Sequence, residues 1–115
     1  MKLTTKAARR QLDENFRETE RGLDPMDIWP VVKLFYPAGA ATWLLVYTLP
    51  DQPEIAWGLA DLGLGSPETG DIYLPELYLF RGRFNLGIER DLHFEADKSI
   101  RDYLEQARRD GILRA

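Results

Sequence analysis

Ala41-Thr42-Trp43-Leu44-Leu45-Val46-Tyr47-Thr48-Leu49 is the stretch that decides the fold. Read as a strand, its alternate side chains point to opposite faces. Trp43, Leu45 and Tyr47 then share one face, and Leu44 and Val46 share the other. A strand that is apolar on both faces belongs at the centre of a sheet covered from both sides. The surrounding apolar run, residues 38–47, is far short of the roughly 20 residues a membrane-spanning helix needs. It therefore predicts a buried strand, and no membrane partner is expected.

Turn chemistry brackets this strand. Pro37-Ala38-Gly39-Ala40 precedes it and Pro50-Asp51-Gln52-Pro53 follows it, which places neighbouring strands at 29–36 and 54–61. Pro30 is confined to the start of the first, as a strand proline should be. Loops of about four residues cannot carry a parallel crossover, so the three strands form an antiparallel meander. In the third, Ile55, Trp57 and Leu59 share one face, while Ala56, Gly58 and Ala60 form a small face that lets a helix lie close. The three tryptophans, Trp29, Trp43 and Trp57, are expected in the core.

Outward from the meander, residues 5–21 read as a helix, with Ala8, Leu12 and Phe16 on a narrow buried stripe and Gly22 near its end. Its bases Lys6, Arg9, Arg10 and Arg17 are interleaved with acids at 13, 14, 18 and 20, so a solvated face with a largely cancelled field is expected. Residues 62–71 read as a glycine-rich loop. A short strand follows at 72–74, then a brief helix from Pro75 to residue 80, a final strand at 86–95, and a last helix capped by Asp97 or Ser99 and ended by Gly111. The expected architecture is one α+β domain over 1–115. It has an N-terminal helix within 1–24, an antiparallel sheet of about four to five strands within 28–95, and a C-terminal helix within 97–112.

The chain has no cysteine, which excludes disulfides, thiolate metal sites and cysteine nucleophiles. The start of the sequence turns polar at once, so a signal peptide is not expected, and a cytoplasmic location is. The net charge of −4 is unevenly spread. Residues 25–96 carry four basic and ten acidic side chains, whereas 1–24 carry six and five, and 97–115 carry five and four. No Lys or Arg occurs between Leu34 and Phe80. Phosphate backbones are bound by neutralising them, so this midsection is a poor nucleic-acid platform. It is better suited to a protein partner with a basic surface, and Asp61, Glu68 and Asp71 are the candidate contacts.

One segment carries candidate chemistry, Ile88-Glu89-Arg90-Asp91-Leu92-His93-Phe94. On a strand, Glu89, Asp91 and His93 would share one face. Two carboxylates and an imidazole suit a divalent metal such as Mg²⁺, Mn²⁺ or Zn²⁺, which would activate water for phosphodiester cleavage. The competing reading is an ordinary half-solvated strand face, with Arg90 tied to a nearby acid or loop carbonyl. Lys33, between Val31 and Phe35, either snorkels to the sheet rim or faces Glu89 or Asp91 as a positioned cation. His93 is the one histidine. Ser66 lacks the strand–turn–helix setting of a hydrolase nucleophile, and the loop around it lacks a Gly-Lys-Ser/Thr phosphate-binding end. No cofactor is expected unless the metal reading holds.

Four stretches together resemble a domain-of-unknown-function family carried on conjugative plasmids, integrative elements and phages. They are Pro30-Val31-Val32-Lys33-Leu34-Phe35, Ala41-Thr42-Trp43-Leu44-Leu45, Gly58-Leu59-Ala60-Asp61-Leu62-Gly63 through Gly65-Ser66-Pro67-Glu68, and 88–94. Where this chain has Glu68-Thr69-Gly70, the family more often has Glu-Leu-Gly. The resemblance implies a setting beside DNA-transfer genes, and some members are automatically labelled single-stranded DNA endonucleases. It carries no catalytic set onto this chain. Two functions are therefore expected: a non-catalytic mobile-element accessory that binds a host or element-encoded protein, as in counter-defence, or a metal-dependent nuclease using Glu89, Asp91 and His93, with Lys33 or Arg90 binding the developing phosphate charge.

Overall fold

The central strand of the sheet forms over Thr42–Leu49, and the rest of the chain is arranged on its two faces. The structure is a computed structural model and describes residues 2–115. In chain order the elements are α1 (Lys6–Glu20), β1 (Val32–Phe35), β2 (Thr42–Leu49), β3 (Gln52–Asp61), β4 (Glu68–Tyr73), α2 (Leu74–Leu79), β5 (Glu89–Arg90) and α3 (Ile100–Asp110). Short 3-10 turns lie at Pro25–Asp27 and Arg83–Asn85. The five strands are ordered β4-β3-β2-β1-β5, and every pairing is antiparallel. The chain is thus the α+β fold that the turns predict. Among the described residues no helix is long and apolar enough to cross a membrane.

Two cores result, one on each face. Leu12 of α1 and Leu74 and Leu77 of α2 pack on Val32, Leu34, Trp43, Leu45 and Ala56. On the opposite face Ile100, Tyr103, Leu104 and Ala107 of α3 cover Leu44, Val46 and Leu59. Fully burying each such aliphatic side chain contributes about 1.5–3 kcal/mol. The small face of β3 behaves as expected: Ala56 and Ala60 lie under α1 and α2. Gly58 is obligatory for another reason, since a Cβ there would sit 1.9 Å from the Leu44 carbonyl oxygen of β2.

Four expectations need correction. The first strand is shorter than 29–36, because Pro30 has no N–H and the ladder begins with Val31 N–H donating to the Leu45 carbonyl at 2.8 Å. Trp29 is left outside it, 53% exposed. In β2 the alternation breaks after Leu45, because Leu45 pairs with Gly58 and Tyr47 with Trp57, leaving Val46 as a bulge. Tyr47 therefore moves to the α3 side, where it packs with Trp57. The extra Val46 carbonyl accepts from Asn15 Nδ2 of α1 at 2.8 Å, which explains a buried asparagine on an otherwise apolar stripe. The glycine-rich loop ends at Pro67, for Glu68–Tyr73 pairs along β3 as β4.

The final strand, expected over 86–95, is only Glu89–Arg90. Asp91 makes one more ladder bond to Lys33, and then its carboxylate accepts the His93 N–H at 2.9 Å. That side-chain turn bends the chain away from β1. Along α1, Glu14 pairs with Arg17 and Arg21, and Glu18 pairs with Arg21. Asp13 accepts from Thr48.

The caps follow local sequence. Thr5 Oγ1 accepts from Ala8 N–H at the start of α1, and Ser99 Oγ accepts from Asp102 N–H at the start of α3. Gly111, at φ 79°, ends α3 in the left-handed conformation. Beyond it the chain returns to the sheet and buries Leu113.

Candidate functional site

The Glu89, Asp91 and His93 side chains come from a strand end and the turn after it, so they do not share one strand face. With Lys33 and Arg90 they line one open hollow of about 340 Å³. Within it Asp91 is engaged twice, by the His93 N–H and by Lys33 Nζ at 3.6 Å. Lys33 Nζ also donates to the Ala115 carbonyl oxygen at 2.7 Å, and Arg90 Nη1 donates to the Lys2 carbonyl oxygen at 2.6 Å. These bonds tie β1 and β5 to the two ends of the chain. Among the described residues no group of three His, Cys, Asp or Glu side chains is gathered so as to hold a metal ion. The positioned-cation reading of Lys33 fits its contact with Asp91, and the loop-carbonyl reading of Arg90 fits its bond to Lys2.

The three central acids separate. Asp61 is 1% exposed. Its Oδ1 accepts from Gly63 N–H at 2.9 Å and its Oδ2 from Leu113 N–H at 2.8 Å. It is a clamp between the end of β3 and the returning C-terminal segment, and it presents nothing to a partner. A sequence signal for this existed: Asp61 continues the alternation of Ile55, Trp57 and Leu59, whose face is covered.

Glu68 and Asp71 are exposed on β4, the last strand of the sheet. They point to opposite faces, since Glu68 pairs with Ala60 and Asp71 with Trp57. The outer rim of β4 pairs with no described strand, and a Cβ at Gly70 would meet open space. Among the described residues the edge thus has no partner strand, with an acid on each side of it.

Asp71 also ends a row that crosses three strands, Tyr47 to Trp57 to Asp71. The Tyr47 and Trp57 rings are stacked, with centroids 5.4 Å apart and planes 10° apart. Phe16 of α1 stands 5.4 Å from Tyr47 on the far side. Burial first, and then the negative charge of Asp71, push the Tyr47 hydroxyl pKa above its ordinary value. Tyr73, opposite Ile55 and 51% exposed, adds a further ring on the same face. These aromatic residues were missed as contact candidates because the bulge at Val46, which turns Tyr47 toward this face, leaves no mark in the apolar pattern.

A separate apolar hollow of about 290 Å³ lies on the other face, lined by Tyr36, Trp43, Leu77, Phe80 and Ile88 among others. Its one carboxylate is Glu76.

No curated protein and no solved structure matches this chain. One family model does, over residues 3–114, nearly the whole length, and it includes the four stretches singled out above. The chain belongs to the family described as Protein of unknown function (DUF2958).

Proposed function

We propose that this chain is a non-catalytic accessory protein that docks a basic, extended segment of a host or element-encoded protein along the rim of β4. The observation that carries this is the open edge strand flanked by Glu68 on one face and by Asp71 with Tyr73 on the other. An unpaired edge is a template for one more strand, with backbone hydrogen bonds giving affinity and alternate side chains giving selectivity. A partner strand with Lys or Arg on both faces would meet an acid on each. The stacked Tyr47 and Trp57 rings beside Asp71 supply apolar contact area of the kind that anchors interfaces. The mobile-element setting, and a role in counter-defence, are part of this proposal and draw on the family resemblance alone.

The endonuclease alternative gains no support from the geometry, because Asp91 is committed to Lys33 and to the turn, and among the described residues no three such side chains are gathered so as to hold a metal ion. Affinity capture tests the docking reading, using wild type and the Glu68→Lys/Asp71→Lys variant as baits in lysate of a host cell. The expected result is a specific partner on wild type that is lost from the variant while the variant stays folded. Equal capture by both forms, or none by either, refutes the proposal.

A further inference from the structure

The start of α1 and the end of α2 border an open hollow of about 590 Å³, and Lys2, Lys6, Arg9, Arg10 and Tyr78 line it. No carboxylate lines it. Among the described residues, none of these four cations takes part in an ion pair. Arg9 donates to the Pro53 carbonyl oxygen at 2.9 Å, which leaves its charge uncompensated. Glu14 and Glu18 of α1 pair with Arg17 and Arg21 further along the helix. Glu89 lines an adjoining hollow that shares Tyr78 and adds Arg81, and Asp13 lies one helical turn beyond Arg9. Cations of one sign gathered in a concavity concentrate the field and draw in anions.

We propose that this hollow binds a compact polyphosphate, a ligand with two or more linked phosphate groups. Lys6, Arg9 and Arg10 are three and four residues apart on one helix, so their stems rise from neighbouring points about 5–6 Å apart. That spacing matches successive phosphates, with Lys as a point charge and Arg as a two-pronged donor. Tyr78 is 38% exposed and gives the wall a flat apolar surface beside the charges. A phosphate chain is the chemistry shared by free polyphosphate and by a nucleotide, whose base would rest on that ring. A long nucleic-acid strand fits less well. The unpaired cations of α1 lie in its first turn and a half, since Arg17 is paired with Glu14, and Arg108 lies on α3 across the sheet. No basic track continues from the hollow toward it.

The test is calorimetric titration of the full chain at low ionic strength with sodium tripolyphosphate. Wild type is compared with Lys6→Gln/Arg10→Gln, with Arg10→Glu, and with Arg108→Gln as the control. Each lost cation should weaken binding about two- to fivefold, as for exposed charge pairs. The double variant should therefore fall about tenfold, and Arg108→Gln should bind as wild type does. Raising salt should weaken wild-type binding steeply. Lys6 and Arg10 are exposed and unpaired, so unchanged unfolding midpoints are expected. A parallel titration with ATP and Tyr78→Leu separates the two sources. Weakening of ATP alone identifies a nucleotide, and no effect on either identifies the phosphate chain; both results support the site. Absence of tripolyphosphate binding by wild type, equal affinity in the variants, or binding of a long single strand only would overturn it.

Discussion

Replacing Asp61 with alanine removes the carboxylate that holds two parts of the chain together, and its cost can be worked from the contacts. Asp61 is 1% exposed and accepts from two backbone N–H groups, Gly63 at 2.9 Å and Leu113 at 2.8 Å. A hydrogen bond to a charged acceptor is worth about 1.5–3 kcal/mol, and orphaning a buried donor costs a similar amount. Some of the loss will be recovered where the freed N–H groups reach water, so the expected destabilisation is about 3–5 kcal/mol. That is a large part of the roughly 5–15 kcal/mol that holds a domain folded. With an unfolding entropy near 2.1 cal/mol/K per residue, each kcal/mol lowers the midpoint of this 115-residue chain by about 4 °C. Asp61→Ala should then melt about 12–20 °C below wild type. Asp61→Asn keeps the shape and one acceptor but sets an amide N–H against the second donor, so it should fall between the two. Glu68→Ala, on the exposed edge, should stay within about 0.5 kcal/mol of wild type. The assay is denaturant and thermal unfolding of the four proteins. If Asp61→Ala lies within about 1 kcal/mol of wild type, the carboxylate does not hold the C-terminal segment and its assignment as a clamp is wrong.

Other outcomes follow from the same contacts. Asn15→Leu should lose about 1–3 kcal/mol in urea unfolding, because the Val46 carbonyl loses its buried donor. Gly58→Ala should yield little folded protein by circular dichroism, since its Cβ meets the Leu44 carbonyl at 1.9 Å and only a backbone shift relieves it. The Tyr103 hydroxyl, and then Lys98, hold the Asp97 pKa below its ordinary 3.8. The folded pKa lies below the unfolded one, so this contribution is present above the unfolded value and lost as pH falls through the folded value. Asp97→Asn should therefore flatten the acid limb of unfolding midpoints measured from about pH 5 down to 2.

The meander was legible because its signals are local. The proline-bearing turns at 37–40 and 50–53 bound a strand that is apolar on both faces, and β1 to β3 follow from them. The C-terminal helix was equally plain, with Ser99, the Ile100–Tyr103–Leu104–Ala107 face and Gly111 in order. The misses share a different cause. Glu68-Thr69-Gly70-Asp71 has poor strand propensity, and β4 exists because β3 offers it a ladder. Residues 86–95 alternate well enough for a strand, yet the Asp91 carboxylate captures the next available N–H and ends the pairing. At the site, the alternation of β3 puts Asp61 on a covered face, but its partner Leu113 lies 52 residues away and leaves no local mark.

The docking edge is tested most directly by placing a photo-crosslinking residue at position 73, where the native tyrosine is half exposed at the end of β4. The variant would be irradiated in host lysate, with a second variant labelled at position 108 on α3 as the comparison. The account predicts a discrete adduct from position 73 that disappears when Glu68 and Asp71 are changed to lysine, and none from position 108. An adduct that survives those two changes, or that forms from position 108 alone, would contradict it.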